Sequence, residues 1–362
     1  MAVGARAVEA LVTRPDRAFW RGRRVLLTGH TGFKGAWLAL WLRRLGAEVT
    51  GLALEPLPRS LFAAARIEGL LASRIADVRD AQAVAAVVRE ARPEIVFHLA
   101  AQALVRAGYR DPLATHATNV MGTAHLLDAL RASADVRVAV VVTTDKVYRD
   151  ATWPYPYREN DALGGHDPYS ASKAAAELIT ASYRDAFLAA QGVALATARA
   201  GNVIGGGDWS EDRLVPDAVR AWEAGDVLRL RRPQAVRPWQ HVLDPLAGYL
   251  RLAESLWQQP ELAGAYNFGP RTDEAASVAE VVALARAAYG RGEWQADDAT
   301  GPHETHWLAL EVEKSRQTLG VAARWSLAEA VGRTMRWYRR LADGADARAL
   351  CEADLEDHEA AP

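Results

Sequence analysis

The sequence has little cysteine, little net charge and no long apolar run. Its 362 residues include one cysteine, Cys351, which excludes a disulfide framework and a cysteine-based metal site and fits a reducing, cytoplasmic compartment. A formal net charge of -2 gives no support to nucleic-acid binding. No stretch reaches the roughly 18 apolar residues of a membrane span, and the first residues, MAVGARAVEALVTRPDRAFW, lack the apolar segment of a signal peptide.

Apolar runs alternate with helical patterns between Arg23 and Asn202. The runs are continuous, which is typical of strands buried on both faces of a parallel sheet: RRVLLTG, AEVTGLAL, EIVFHLAA, RVAVVVTTD and VALATARAGNV. Helical stretches such as AWLALWLRRLG and DAQAVAAVVREARP stand between them. The pattern predicts an α/β fold, a Rossmann-type doubly wound parallel sheet.

The amino-acid composition changes after Asn202, where glycine, tryptophan, arginine and proline become frequent. Helices are expected near Leu214–Ala224, through SVAEVVALARAAYG, and over LAEAVGRTMRWYRRLA. We therefore predict a smaller mixed C-terminal substrate lobe. The predicted division is an N-terminal extension (1–18), a dinucleotide-binding domain (19–202), a lobe interleaved with that domain (203–342) and a flexible tail (343–362).

A glycine-rich turn, TGHTGFKG, joins the first predicted strand to the first long helix. Glycines at this spacing allow a tight turn and a close approach of backbone to a pyrophosphate, and the helix N-terminus offers free amides to the phosphates. A merely structural turn is the alternative. The candidate cofactor residues here are Gly29, Thr31, Gly32, Phe33, Lys34 and Gly35.

The residue that would hold the adenosine ribose is poorly defined. Glu55 follows the second strand but precedes two prolines, and Arg59 is near enough to suit a 2′-phosphate, so the turn does not decide between NAD and NADP. Asp77, at the end of a later strand, is a candidate partner of the adenine amino group or else a cap of its own strand end.

Two further stretches carry candidate proton-transfer groups. Tyr169 and Lys173 lie four residues apart and hence on one helix face, where an ammonium and a cationic nicotinamide would lower the pKa of the phenol. TTDKVY, directly after a buried strand, supplies Thr144, Asp145 and Lys146. An ordinary ion pair at a strand end is the alternative for Asp145 and Lys146, but the carboxyl ends of parallel strands line the ligand cleft in this topology.

Together these stretches resemble the extended short-chain dehydrogenase/reductase family over residues 19–342, and within it the nucleotide-sugar 4,6-dehydratases, most closely those that act on CDP-glucose. The resemblance rests on TGHTGFKG, YRENDALGGHDPYSASK, AGNVIGGGDW with DRLVPD, and RPWQHVLDPLAGYL. It implies bound NAD, a nucleotide-sugar substrate, a homodimer built on a helical bundle or a homotetramer, and a place in deoxysugar biosynthesis such as that of lipopolysaccharide O-antigen.

The resemblance also implies a reaction: oxidation at C4 of the sugar, elimination of water across C5 and C6, and return of the same hydride to C6. Tyr169 would be the base at the C4 hydroxyl, Lys173 would tune it and hold the nicotinamide ribose, and Thr144 would bond the C4 hydroxyl. Asp145 would be the acid for the C6 oxygen. Lys146 would be the base at C5, with stabilisation of the enolate as its alternative role.

Other positions follow from the same resemblance. Cofactor contacts are implied for Asp77, Val78, Leu99, Ala100 and Ala101, and substrate contacts for Gln102, Asn202, Arg213, Leu214, Arg237 and His241. Asn119 is expected to order water or the active-site strand, and Trp239 to stack on a base or to fill the lobe interface. His98 is expected in the core. The stretch His303-Glu304-Thr305-His306 lacks metal-site spacing and is expected on the lobe surface.

Three alternatives remain open from the sequence. A GDP-mannose or UDP-N-acetylglucosamine 4,6-dehydratase shares the chemistry and is disfavoured only by RPWQHV and GGGDW. A 4-epimerase needs the tyrosine but no acid for a C6 hydroxyl, so Asp145 and Lys146 argue against it. A non-catalytic NAD-binding scaffold does not explain the full set of candidate residues.

Overall fold

The central feature of the protein is a parallel sheet, seen in a computed structural model that describes residues 14–151, 153, 155–297 and 307–361. The strands in these ranges are β1 (Arg24–Thr28), β2 (Glu48–Ala53), β3 (Ala72–Ile75), β4 (Ile95–His98), β5 (Val138–Val142), β6 (Ala194–Ala200), β7 (Val203–Ile204), β8 (Val227–Leu230), β9 (Val236–Arg237), β10 (Gln240–His241), β11 (Ala265–Phe268), β12 (Ala276–Ser277) and β13 (Glu293–Ala296).

The helices connect these strands and cover the sheet. They are α1 (Arg17–Trp20), α2 (Phe33–Leu45), α3 (Leu61–Ala64), α4 (Ala81–Ala91), α5 (Val105–Arg110), α6 (Pro112–His116), α7 (Gly122–Arg131), α8 (Pro168–Tyr183), α9 (Leu214–Ala224), α10 (Leu243–Gln258), α11 (Val278–Tyr289), α12 (Glu313–Leu319), α13 (Leu327–Ala342) and α14 (Ala347–Ala360). In the described part of the chain, no helix is both long and apolar enough to cross a membrane.

The strand order in the seven-stranded sheet is β11-β6-β5-β4-β1-β2-β3, and every neighbouring pair is parallel. The chain runs outward from β1 to β3 and then returns to the other side through β4, β5 and β6. The direction of winding therefore reverses beside β1, which in doubly wound sheets opens a crevice at the carboxyl ends of the strands. The predicted fold class is confirmed.

Alternate residues of each strand point to opposite faces of the sheet, and both faces are buried. Leu27 belongs to an apolar cluster with residues of α2 and α10, whereas its neighbour Leu26 belongs to a second cluster with residues of α4 and α7. This two-sided burial explains why the strands have continuous apolar sequences.

The chain after residue 202 contributes to both parts of the molecule. β11 pairs with β6 as the edge strand of the main sheet, and α10 joins the apolar cluster on one of its faces. The paired short strands β8 and β13, with α9 and α11, lie outside that sheet. Where one domain ends and the other begins stays a prediction.

The C-terminal segment differs from the predicted flexible tail at 343–362. Residues 347–360 form α14, whose apolar side chains Leu350, Cys351 and Leu355 are buried in the main core. His358 on the same helix is buried and bonds the Asp244 carboxylate of α10 at 3.0 Å. The acidic composition concealed a narrow apolar face at helical spacing. Of the predicted N-terminal extension, residues 1–13 lie outside the described residues, as do His303, Glu304 and His306.

Candidate active site

The glycine-rich turn lies at the carboxyl end of β1, where it begins the cleft. Gly29 has a φ of +78°, and a Cβ there would lie 2.7 Å from the backbone nitrogen of Ala100. Gly32 is the N-cap of α2 and makes no side-chain hydrogen bond to it. The backbone is therefore open for an anionic group at the start of the helix, which fits the pyrophosphate of a dinucleotide.

The predicted cofactor residues come together along one side of a cleft of about 710 Å³. Those lining it are Gly29, Thr31, Gly32, Phe33, Lys34, Gly35, Asp77, Val78, Leu99, Ala100 and Ala101. They come from the ends of β1, β3 and β4 and from the start of α2. Parallel strands place these ends at one edge, so residues far apart in sequence meet there.

The candidate adenosine contacts have partners within the chain. The Asp77 carboxylate accepts from the backbone amide of Arg79 at 2.8 Å and from its Nε at 2.8 Å. These bonds hold the pKa of Asp77 below its usual value. Arg59 pairs with Glu223 at 3.0 Å and lies 3.5 Å above the Trp209 ring. Arg59 is therefore engaged by two side chains of the C-terminal part, and this geometry gives no support to the alternative in which it binds a 2′-phosphate.

The segment after β5 carries the candidate acid. Asp145–Val147 form a single 3₁₀ turn, with Thr144 as its N-cap. The Thr144 hydroxyl donates to Asp145 Oδ1 at 2.9 Å, and Lys146 Nζ donates to the same oxygen at 3.0 Å. The Asp145 side chain is fully buried, and its Oδ2 has no hydrogen-bond partner among the described residues. The ion pair therefore exists, and one carboxylate oxygen is left without a partner. Thr144 and Lys146 line the cleft, whereas Asp145 between them is not among the described residues that line it.

Tyr169 and Lys173 face this segment from α8. Burial raises the pKa of Tyr169 to about 12, against an opposing hydrogen bond with Thr144. In the protein alone the phenol is therefore held neutral, which differs from the expected lowering of its pKa. Burial also lowers the pKa of Lys173 to about 8, opposed by the charge of Glu177, while Lys173 Nζ donates to the Val142 carbonyl at 3.0 Å.

Lys34 adds a further cation beside these groups. Its Nζ donates to the Tyr249 hydroxyl at 3.3 Å. Burial, followed by the charges of Arg213, Lys173 and Lys146, lowers the pKa of Lys34 to about 7. Such a concentration of positive charge at the base of a cleft favours ligands that carry phosphate groups.

Asn119 organises the floor of the site from a short π-helical segment, Ala117–Met121. Its Oδ1 accepts from the backbone amide of Gln102 at 2.8 Å, and its Nδ2 donates to the Ser172 hydroxyl at 2.8 Å. Asn119 therefore ties the end of β4 to α8, as expected for a residue that orders the active site. His98 is buried between Thr28 and Thr123 at 2.7 and 3.0 Å, which confirms it as a core residue.

Four of the predicted substrate residues line the same cleft: Asn202, Arg213, Leu214 and Arg237. Arg213 pairs with Asp208 at 3.1 Å. The Asn202 side-chain oxygen is buried without a hydrogen-bond partner among the described residues, so its acceptor is available in the cleft wall. Trp239 donates from Nε1 to the Ala276 carbonyl at 3.1 Å and also lines the cleft, so both of its predicted roles stay predictions.

The GGGDW stretch explains how Arg213 is held. A Cβ at Gly206 would lie 2.0 Å from Trp337, so only glycine fits between the sheet and α13. Asp208 follows directly, and its backbone carbonyl accepts from the Tyr338 hydroxyl at 2.6 Å. The carboxylate is thereby fixed where it can pair with Arg213.

Two predicted substrate residues, Gln102 and His241, are not among the described residues that line the cleft, and their contacts with a substrate stay predictions. The side-chain amide of Gln102 donates from Nε2 to the Thr115 hydroxyl at 2.9 Å, and its Oε1 accepts from the Leu104 backbone amide at 2.6 Å. Both ends of the side chain are therefore bonded to other residues of the protein. The His241 ring is fully buried and packs against Trp325 at 4.6 Å. Burial lowers its pKa well below the usual value.

The cleft also contains arginines that were not predicted. Arg229, Arg231 and Arg232 line it from β8 and the turn after it. Their signal in the sequence is the stretch RLRRP, whose alternating positions bring charge to one face of a short strand. Arg106 lines the cleft as well and pairs with Asp212 at 3.0 Å.

Comparisons with known proteins agree with this geometry. A family model described as GDP-mannose 4,6 dehydratase matches residues 26–339. The chain is 43% identical over 351 residues to a CDP-glucose 4,6-dehydratase of Salmonella typhimurium, covering 95% of this chain and 98% of that protein. It is 31% identical over 275 residues to a dTDP-glucose 4,6-dehydratase of Streptomyces antibioticus, covering 73% and 75% of the two chains.

Solved structures share the fold at lower identity. An epimerase from Methanothermobacter thermautotrophicus superposes with a TM-score of 0.80 at 22% identity, covering 91% of this chain and 95% of the other. A dTDP-glucose 4,6-dehydratase from Bacillus anthracis in complex with NAD gives a TM-score of 0.75 at 20% identity, covering 88% and 97%. At these identities the likeness establishes the fold alone, and it includes both dehydratases and epimerases.

Proposed function

The chain belongs to the nucleotide-sugar 4,6-dehydratases of the extended short-chain dehydrogenase/reductase family, and from this premise we propose that it converts CDP-D-glucose to CDP-4-keto-6-deoxy-D-glucose and water. One observation carries the proposal. A threonine, an aspartate and a lysine stand consecutively on one turn, within reach of a tyrosine and a lysine of α8, beside a cleft lined by arginines. The 43% relative supports CDP-glucose as the substrate.

NAD is the cofactor, and when bound it accepts hydride from C4 of the sugar and later returns it to C6. The residues that would hold it are those around the glycine-rich turn, with the α2 amides toward its pyrophosphate. Lys173, whose Nζ already donates to a backbone carbonyl, has further donors for the nicotinamide ribose. The cycle leaves the cofactor as it began, so one bound molecule serves repeated turnovers.

Tyr169 would act on the C4 hydroxyl. The phenol is neutral in the protein alone, so the base form requires the positive charge of the oxidised cofactor in addition to Lys173. Thr144, whose hydroxyl is near enough to act on the Tyr169 phenol, would orient the C4 hydroxyl. This arrangement would restrict deprotonation to the loaded site and protect the resting protein from side reactions.

Asp145 and Lys146 would carry the elimination. A ketone at C4 acidifies the C5 proton, and the C6 hydroxyl leaves as water if an acid protonates it. The Asp145 Oδ2 is buried and has no partner among the described residues, so it is the oxygen of this carboxyl that would pass a proton to the C6 hydroxyl. Lys146 would take the C5 proton or stabilise the enolate. Retained C5 exchange with solvent in Lys146→Ala would leave it only the stabilising role.

The nucleotide sugar would lie across the cleft from the cofactor. Arg213 and Arg237 present guanidinium groups suited to pyrophosphate oxygens. Arg229 on β8 and Arg232 in the turn after it add further positive charge to the cleft. Asn202 offers an acceptor to a sugar hydroxyl.

We also propose that the protein forms homodimers or homotetramers in the cytoplasm. The exposed apolar side chains Leu113, Met121 and Leu178 lie on neighbouring helical segments that include α6 and α8, where helices of a second copy could pack. Light scattering of the parent and of Leu178→Glu tests this: the variant should dissociate. A monomeric parent would contradict the proposal. A role in deoxysugar biosynthesis for lipopolysaccharide O-antigen stays a prediction.

The substrate assignment is tested by supplying CDP-, dTDP-, GDP- and UDP-sugars with NAD and measuring the alkali-induced absorbance of a 4-keto-6-deoxy product. CDP-glucose should be turned over with the highest kcat/KM. Turnover of GDP-mannose or UDP-N-acetylglucosamine in its place would overturn the nucleotide assignment but not the reaction. A redox-neutral change at C4 without this product would indicate an epimerase.

A further inference from the structure

A buried carboxylate that the proposed reaction does not use lies directly behind the site. Glu177 is on α8, four residues after Lys173 and eight after Tyr169, so all three lie along one stripe of the helix. Its side chain is 3% exposed. No motif in the sequence marks this glutamate.

The two oxygens of Glu177 hold two neighbouring strands. Oε1 accepts from the hydroxyl of Thr143, which directly follows β5 and precedes the candidate catalytic residues. Oε2 accepts from Thr197 at 2.8 Å and from Arg199 Nη2 at 2.7 Å, both on β6. One carboxylate therefore joins α8 to the ends of two strands.

The partner of Glu177 holds the other end of the same segment. Arg199 is buried, with its side chain 4% exposed, and its Nη1 donates to the Tyr148 hydroxyl at 2.9 Å. Tyr148 donates in turn to Asn267 Oδ1 at 2.7 Å. The segment between Thr143 and Tyr148, which includes Asp145 and Lys146, is thus fixed at its start by Glu177 and at its end by Arg199.

We propose that Glu177 and Arg199 form a clamp that holds the segment 143–148 in register with Tyr169 and Lys173, so that both are positioning residues for the elimination and oxidation groups. This inference rests on the proposed dehydratase function. Stability alone does not account for the pair, because a buried ion pair is often no more stabilising than apolar side chains of the same volume. The pair lies between α8 and the segment 143–148, which must both act on one sugar, so it can hold the two in a fixed relative position.

The clamp also affects the charge state of Lys173. The charged and titratable groups that act on Lys173 or are acted on by it are Glu177 on the same helix, Lys34 on α2 and His98 on β4. Glu177 is the one negative group among them and favours the ammonium form. Loss of its charge therefore moves the alkaline limit of activity to lower pH.

The test compares three proteins with the parent: Glu177→Gln, the charge-balanced double variant Glu177→Gln with Arg199→Met, and Glu254→Gln as a matched control. Glu254 is another buried carboxylate, paired with Arg251 and bonded to Trp20 at 2.6 Å, and it is not among the described residues that line the cleft. Each protein is assayed for kcat, KM, pH profile, thermal unfolding and amide hydrogen exchange of residues 143–148.

We expect Glu177→Gln to lose about 10- to 100-fold in kcat per folded molecule, with KM changed less than about threefold, because misplacement of reacting groups by about 1 Å has effects of this size. Its alkaline limb moves to lower pH, and exchange in 143–148 becomes faster. The double variant recovers thermal stability but not kcat or protection from exchange. Glu254→Gln loses stability and keeps the parent's kcat, pH profile and exchange in that segment.

The clamp is refuted if Glu177→Gln matches the parent within about twofold in kcat and in exchange, or if the double variant restores both together with stability. Failure of the proposed function is distinguishable, since it appears as an inactive parent and an inactive Glu254→Gln. The exchange measurement needs no substrate, so it decides on the clamp in that case as well.

Discussion

Replacement of Asp145 by asparagine removes the proposed acid of the elimination with little change in side-chain shape. In the parent, Oδ1 accepts from Thr144 and Lys146 at 2.9 and 3.0 Å, and an amide oxygen can accept both bonds. What the amide cannot do is donate a proton to a departing hydroxyl. The variant therefore separates the chemical role of Asp145 from its role in the turn.

The expected loss of activity is large and the expected loss of stability is small. General acid catalysis contributes about 10²- to 10⁴-fold, so kcat should fall by this factor, equivalent to about 3–5 kcal/mol in the barrier. The amide nitrogen that replaces Oδ2 is buried, and if it is left without an acceptor it costs about 1–3 kcal/mol of unfolding free energy. Lys146, with its side chain 31% exposed, stays solvated without its partner.

The assay is formation of the 4-keto-6-deoxy product, with urea unfolding measured on the same preparation. Asp80→Asn is the matched control, because Asp80 caps α4 from an exposed position and asparagine caps as well. If Asp145→Asn retained more than about a tenth of the parent's kcat, Asp145 would not be the acid.

Three further predictions concern the fold around the site. Gly206→Ala places a Cβ 2.0 Å from Trp337 and should lower the unfolding free energy by about 1–3 kcal/mol. The control Gly69→Ala, whose new Cβ would have no atom within 4 Å, should be as stable as the parent. Equal stability of the two variants would contradict the packing at Gly206. Deletion of residues 345–362 removes the buried Leu350 and Leu355 and should cost at least about 3 kcal/mol; an unchanged unfolding midpoint would restore the predicted flexible tail. Burial lowers the pKa of His98 to about 3 and that of His30 to about 4. As the pH falls from about 6.5 toward 4, the unfolded chain therefore binds these protons before the folded chain does. The unfolding free energy decreases by up to about 1.4 kcal/mol per pH unit for each histidine. Asp354, whose pKa burial raises to about 6, partly offsets this decrease because its folded form binds a proton first. His98→Asn should reduce the slope, and a slope equal to the parent's would contradict this.

The sheet and its glycine-rich turn could be predicted because their signals are local. Continuous apolar runs mark buried parallel strands, and helix bounds such as Leu214–Ala224 and Leu327–Ala342 follow from apolar spacing and match the structure. The return of β11 to the main sheet could not be predicted, because strand pairing across the interval from β6 depends on tertiary packing.

Site residues could be predicted where the strand ends converge. They could not be predicted where the direction of a side chain decides whether the residue lines the cleft. Arg237 and His241 stand close together in RPWQHV, yet one lines the cleft and the other is buried against Trp325. Gln102 follows the cofactor-lining Ala101 but turns to Thr115. The importance of Glu177 arises from contacts with Thr143, Thr197 and Arg199, which lie on other elements and give no local pattern.

The most direct test of the proposed reaction follows one hydrogen atom. CDP-glucose carrying deuterium at C4 is converted in the presence of NAD, and the position of the label in the product is determined by nuclear magnetic resonance. The account predicts deuterium at C6 of a 4-keto-6-deoxy sugar, because the same hydride leaves C4 and returns to C6. A 4-epimerase would return the deuterium to C4 of a hexose that keeps its C6 hydroxyl. That product would contradict the account.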